Sequence, residues 1–289
     1  MVDHQTFLEE RVVPWAVETM WVRGLAEVGS RVHSEPVDEW ADMDLMLLVS
    51  DVTTVLDHEA WLSDIGPVWL SVRHPGPLGE FPVRQVLFEG ALDFDLVPIA
   101  AGSLASAMEH PGILELLGGG VAVLVDKDGE LASVEHPPPP IPRSAQDITV
   151  EAFDFVVRDF LFQCVWASKH LRRGEVWAAK DDVDSYMKGD LLRMIEWHTM
   201  VHHPGERIRA GGRYLERWAD DRIQAELPGT FATYHPVSVA GALLHMAALF
   251  RWVSEETADD LGFVYPSHAH EAVVGWTSAC VSPLLASPG

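Results

Sequence analysis

"EVGSRVHSEPVDEWADMDLMLLVSD", residues 27–51, sets a Gly-Ser pair ahead of two aspartates two apart, the second running straight into five apolar residues. Those five, Leu45 to Val49, do not alternate with polar residues, which marks a strand covered on both faces. On a strand, residues i and i+2 share a face, so Asp42 and Asp44 project together from its beginning. Two carboxylates that close repel each other unless a positive charge lies between them. Mg²⁺ suits that place, because it takes hard oxygen ligands and keeps room for water and phosphate. Gly29 and Ser30 follow a strand-like stretch, Trp21 to Val28. A glycine there lets backbone approach a phosphate, and a serine hydroxyl and exposed N–H groups can bond it.

A third carboxylate would complete such a site. "LDFDLVPI", Leu92 to Ile99, offers Asp93 and Asp95 on one face of another strand. If that strand neighbours Leu45 to Val49, either acid reaches the same ions. The third acid would ligate metal or help deprotonate an acceptor hydroxyl, and the sequence does not separate the two. Metal ions held this way activate a hydroxyl nucleophile and stabilise departing pyrophosphate. The pattern therefore points to nucleotidyl transfer from a nucleoside triphosphate. A single D-x-D at a strand edge is usually only solvated; the specificity lies in its combination with Gly-Ser and the second strand-borne D-x-D.

Around these motifs, residues 1–135 read as a mixed β-sheet with flanking helices. A helical opening, Phe7 to Met20, precedes the strand at Trp21. Further strands are expected at Val68 to Val72, Val83 to Phe88, Leu92 to Ile99 and Val121 to Val125, the last followed by the turn "DKDG". "LLGGG", Leu116 to Gly120, lacks a following G-K-[S/T] and reads as a loop before a strand, not as a phosphate loop. "EHPPPPIPR", from Glu135, excludes a helix and marks a linker over 136–145. Residues 146–289 then show helical periodicity: one helix across Ile148 to Glu175, a second across Ala178 to His203, and two more, or one with a break, across His235 to Gly262. The class is α+β, a sheet domain followed by a helical bundle.

The chain has 289 residues, 48% hydrophobic and 22% charged, a globular composition with a formal net charge of −24. Such a field repels nucleic acid and anionic membranes and draws in cations, though acidity can also serve solubility alone. The acidic N-terminus lacks a signal pattern, the apolar runs fall short of a membrane span, and two cysteines, Cys164 and Cys280, make no disulfide framework. A cytoplasmic protein is expected; the oligomeric state is not legible. Cys164 sits in an apolar helical stretch as a small hydrophobe. His198 and His202 stand at the i, i+4 spacing of a zinc site, but Thr199 occupies the place where a zincin has glutamate, so zinc is not expected. Trp166, Trp177, Trp197 and Trp252 fall on apolar helical faces and are expected in the core, as is Tyr214.

The G-S…D-x-D…D pattern resembles the nucleotidyltransferase fold of the DNA polymerase beta superfamily. More narrowly, "GSR", "DMDLMLLV", "DFDLVPI", "VLVDKDG", "AAKDDVDSYMKGDLLRMIEWH", "GGRYLERW" and "LFRWVSEETADDLGFVYP", spread from Gly29 to Pro266, resemble the aminoglycoside 6-adenylyltransferase, or streptomycin adenylyltransferase, family. The resemblance implies AMP transfer from ATP to a streptomycin hydroxyl. It implies Gly29 and Ser30 at the triphosphate, Asp42 and Asp44 on Mg²⁺, and Asp95 as the third acid, with Asp93 in reserve. Arg31 would meet phosphate or pair with a nearby acid. Lys180 would reach the triphosphate or stay solvated. Arg213 stands where the family usually has lysine, a planar fork in place of a compact ammonium. An aminoglycoside is a polycation, and Asp154, Asp159, Glu175, Asp181, Asp182 and Asp184 of the helical half would supply acids for it.

Overall fold

The computed structural model describes residues 3–32, 40–75, 81–134, 144–206, 208 and 210–286. The chain divides into two units, Met1–Ile141 and Pro142–Gly289. Of the expected linker over 136–145, only residues 144 and 145 are described.

The first unit opens with α1, which runs through His4–Phe7, a π-helical turn Leu8–Val12, and Val13–Glu18. Asp3 caps it, accepting the Thr6 N–H at 2.8 Å. The strands are β1 (Val22–Val28), β2 (Met43–Val49), β3 (Val68–His74), β4 (Val83–Phe88), β5 (Leu92–Ala100) and β6 (Val121–Asp126). They form one sheet in the order β3-β4-β5-β2-β1-β6. Only the β2–β5 pair is parallel; the other described pairings are antiparallel, so the sheet is mixed as expected. Helix α2 (Val52–Asp57) follows β2 and α3 (Pro111–Gly118) precedes β6.

Strand β2 is central, and its lack of alternation now has its reason. Leu45, Leu47 and Val49 pack with Phe7, Val12 and Trp15 of α1, while Met46 and Leu48 pack with Ile113, Leu117 and Leu131 on the opposite face. Burying each such side chain stabilises by about 1.5–3 kcal/mol, and a one-residue slip would exchange the two sets. This pins the register of β2, and with it the position of Asp44.

The second unit is helical. Helix α4 (Val150–Arg172) starts at Thr149, whose hydroxyl accepts the Ala152 N–H at 3.1 Å. Helix α5 runs through Val176–Asp181, a π-helical turn Asp182–Tyr186, and Met187–His202. Helix α6 (Pro236–Leu261) is a single unbroken helix that ends on Gly262 in the left-handed conformation. Helix α7 (Ser267–Leu285) has no counterpart among the elements expected from the sequence. The core joins α4 to α6 through Phe160 and Phe250, whose rings stack at 3.7 Å, and it encloses Cys164. Burial pushes the Cys164 thiol up to about 12, as fits an inert packing residue. Contrary to the expectation that every apolar run is too short, α6 is long and apolar enough to cross a membrane by length and composition. Over half of its most apolar stretch is nevertheless buried within the protein. Three aromatics expected in the core are not there: Trp177 is 74% exposed, Tyr214 is 40% exposed and Trp166 is 37% exposed. Trp177 lies one residue inside the first turn of α5, and Tyr214 follows two glycines in a left-handed conformation of its own.

Candidate active site

Three strands bring the acids together. In register, Val28 of β1 faces Asp44 of β2, and Asp44 faces Asp95 of the parallel strand β5. Asp42 stands just ahead of β2 on the same side as Asp44. One carboxylate oxygen from each of Asp42, Asp44 and Asp95 lies within 4.8 Å of the others, and all three residues are half-buried. Asp95 is oriented by its β4 partner Gln85, whose amide nitrogen donates to both carboxylate oxygens at 2.9 and 3.1 Å. Burial, with the charges of Asp42 and Asp93 beside it, raises the Asp95 pKa above the ordinary carboxylate value. Asp93, the reserve candidate, shares the face of Asp95 but is engaged elsewhere: its Oδ1 lies 2.8 Å from Nε2 of His4 in α1. Between two acids two residues apart, the geometry gathers Asp95 and leaves Asp93 out.

The Gly-Ser element is the 3₁₀ turn Gly29–Val32 that ends β1. Gly29 has φ +81°, and a Cβ there would sit 2.6 Å from Oδ2 of Asp44. Only glycine fits both the conformation and the space. Behind the turn stand residues that the motifs alone do not reveal. A Cβ on Gly119 would lie 2.8 Å from the Cα of Gly29, and one on Gly120 would lie 3.0 Å from the Val32 side chain. The loop expected over "LLGGG" is only partly one: Leu116 to Gly118 end α3, and Gly119 and Gly120 alone link it to β6 and form the bare surface against which the Gly29 turn rests. The three consecutive glycines are the signal in the sequence that could have found it.

Arg31 is directed at the protein. Its Nη1 donates to the Ala41 carbonyl at 2.8 Å, and its Nε lies 3.7 Å from Glu27 Oε1. It thereby ties the turn after β1 to the residue just ahead of Asp42. Lys180 and Arg213 belong to the second unit. The Lys180 ammonium pairs with Asp184 and donates to the Ala232 carbonyl at 2.7 Å. Arg213 is exposed after Gly211 and Gly212, both at positive φ, and its carbonyl accepts from the Trp218 indole at 2.9 Å.

The acids of the helical unit sort into two kinds. Asp154 pairs with Arg158, Glu175 with His170, and Asp184 with Lys180 and Lys188. Asp159, Asp182 and Asp190 form a mutually repelling group joined by Tyr186, whose hydroxyl donates to Asp159 Oδ2 at 2.7 Å. Asp182 and Asp190 are buried, and Oδ2 of each has no hydrogen-bond partner among the described residues. Burial first, then the neighbouring acids, push Asp182 up to about 7 and Asp190 up to about 6.

The streptomycin adenylyltransferase family profile matches residues 3–280, nearly the whole chain. The chain belongs to that family. Its relatives include an aminoglycoside 6-adenylyltransferase of Bacillus subtilis (strain 168), 26% identical over 83% of this chain and 85% of that protein. Another, from Campylobacter jejuni, is 25% identical over 85% of each chain. A solved aminoglycoside 6-adenyltransferase from Bacillus subtilis aligns over 97% of this chain and 99% of its own, with 20% identity and a TM-score of 0.45. As a member of the streptomycin adenylyltransferase family, the protein is a nucleotidyltransferase. Its acidic cluster is made wholly of carboxylate oxygens, a donor set that suits a hard divalent cation and not a soft one.

Proposed function

We propose that this family member transfers AMP from ATP to a hydroxyl of a cationic aminoglycoside, streptomycin foremost, and releases pyrophosphate. The observation that carries the reading is the convergence of Asp42, Asp44 and Asp95 beside the Gly29 turn. These three acids would hold Mg²⁺, which when bound neutralises charge on the phosphoryl oxygens and on the attacking hydroxyl. The Gly29-Ser30 turn would present backbone N–H groups to the triphosphate. Arg31 adds positive charge behind it. In the reaction the acceptor oxygen bonds to the α-phosphorus, the bond from that phosphorus to the bridging oxygen breaks, and the hydroxyl proton passes to a carboxylate.

The acceptor's charged groups are assigned to the helical unit. Asp182 and Asp190, buried beside Asp159 without partners on Oδ2 among the described residues, repel one another less once an ammonium or guanidinium lies among them. With ATP as co-substrate and Mg²⁺ as cofactor the reaction is assigned to the cytoplasm, and the net charge of −24 disfavours a nucleic-acid acceptor.

The test is mass spectrometry of streptomycin incubated with the protein, ATP and Mg²⁺, with pyrophosphate followed alongside. A product heavier by one AMP, formed only with the divalent ion, supports the reading. Pyrophosphate release with another aminoglycoside but not with streptomycin would move the acceptor. No ATP consumption with any aminoglycoside would overturn it.

A further inference from the structure

His198 and His202 lack the adjacent glutamate of a zincin, but the fold supplies a carboxylate from a different helix. Glu256 of α6 places Oε2 3.0 Å from Nε2 of His198 on α5. One ring nitrogen of each histidine and one oxygen of Glu256 lie within 4.8 Å of one another. We propose that His198, His202 and Glu256 form a Zn²⁺ site that clamps α5 to α6 inside the helical unit.

Four observations converge on that assignment. The donor set is mixed nitrogen and oxygen, which suits zinc and distinguishes this group from the all-carboxylate cluster of the first unit. The glutamate is fixed in orientation, because its Oε1 accepts the Trp252 indole N–H at 2.6 Å and leaves Oε2 to the histidines. His202 has its own outer carboxylate, with Nε2 3.3 Å from Asp260 Oδ2, in the manner of the acids that orient metal-bound imidazoles. Finally, the His198 side chain is 2% exposed, and its Nδ1 has no hydrogen-bond partner among the described residues. The nitrogen of this buried ring that is engaged, Nε2, is engaged inside the cluster.

The spacing follows from the helices. His198 to His202 and Glu256 to Asp260 are both i, i+4 steps, and the pairs match in order, so α5 and α6 run in the same direction here. Two histidines on one face thus meet two acids on the other. Zinc with ligand bonds near 2.1 Å in a tetrahedron separates its ligands by about 3.4 Å. His198 and Glu256 already stand that close, and His202 keeps a ring nitrogen within 4.8 Å of both ligand atoms. Water would take the fourth position.

The decisive measurement is a zinc titration of the chelator-stripped full-length chain against a chromophoric chelator, made in the Asp44→Asn background so that the acidic cluster does not compete. The expected result is one Zn²⁺ per chain, weakened about 100-fold or more by His202→Gln or Glu256→Gln, and about tenfold by Asp260→Asn as an outer partner. Co²⁺ in its place should give the intense visible bands of a tetrahedral ion, lost in the same variants. Zinc should also raise the melting temperature of the parent but not of His202→Gln. His202 is partly exposed, so that variant reads the site even if His198→Gln does not fold. No stoichiometric zinc at micromolar concentration, or uptake unchanged in His202→Gln and Glu256→Gln, would overturn the proposal.

Discussion

Gly29 is bare because Asp44 occupies the space where its side chain would go. Gly29→Ala, which puts a methyl group 2.6 Å from the Asp44 carboxylate at φ +81°, should therefore lower kcat/KM by about 100-fold or more while the protein stays folded. Asp44→Asn, which removes a metal-bearing charge, should cost on the order of 10³-fold in turnover with an unchanged melting profile. Unchanged turnover would sink the metal assignment. The neighbouring acids give an internal comparison. Asp95→Asn should fall nearly as far as Asp44→Asn, whereas Asp93→Asn, whose carboxylate is spent on His4, should keep activity within about tenfold. At this scale Asp42 and Asp44 are legible in the sequence because the strand period alone puts them side by side. Asp93 and Asp95 are not separable there, since they share one strand face and differ only in the partners that distant residues, His4 and Gln85, bring to them.

Among the elements, α5 carries the least comfortable charges in the molecule. Asp182 and Asp190 are raised to about 7 and about 6, so between the ordinary carboxylate range and about 7 these two acids hold more protons in the folded helical unit than in its unfolded chain, outweighing the opposite, smaller effect of the buried His198 and His270. Its stability is therefore full at low pH within that window and is lost as pH rises through it. The helical unit should melt several degrees higher at pH 5 than at pH 8. Asp182→Asn should flatten that dependence and stabilise the pH 8 form, and a bound aminoglycoside should do the same in the parent. Calorimetry across pH, with and without streptomycin, checks all three. The strands and long helices are readable in the sequence because each has a period and an apolar face. Helix α7 is not, because its fully buried residues are His270, Thr277 and Val281, a stripe that is two-thirds polar and gives no hydrophobic period. Helix α6 is open to a break that does not exist, since Gly241 sits on its exposed side and is tolerated there.

For the whole molecule, a charge of −24 on 289 residues acts on substrates of opposite sign in opposite ways. A polycationic acceptor is drawn in, and the attraction fades as the Debye length shrinks from about 10 Å at 0.1 M salt to a third of that at 1 M. The KM for streptomycin should therefore rise severalfold between low and high salt, with kcat nearly unchanged, while the KM for ATP should fall or stay level. A parallel rise in both would show that the field does not discriminate between them. What the sequence cannot convey at this scale is contact between segments far apart along the chain, and the glycine at 119 is the sharpest case. A single methyl group there would press on the Cα of Gly29 from behind. A chain carrying Gly119→Ala would then keep all three acids in place and still lose the seat of the Gly29 turn, so an intact set of aspartates does not certify an intact site.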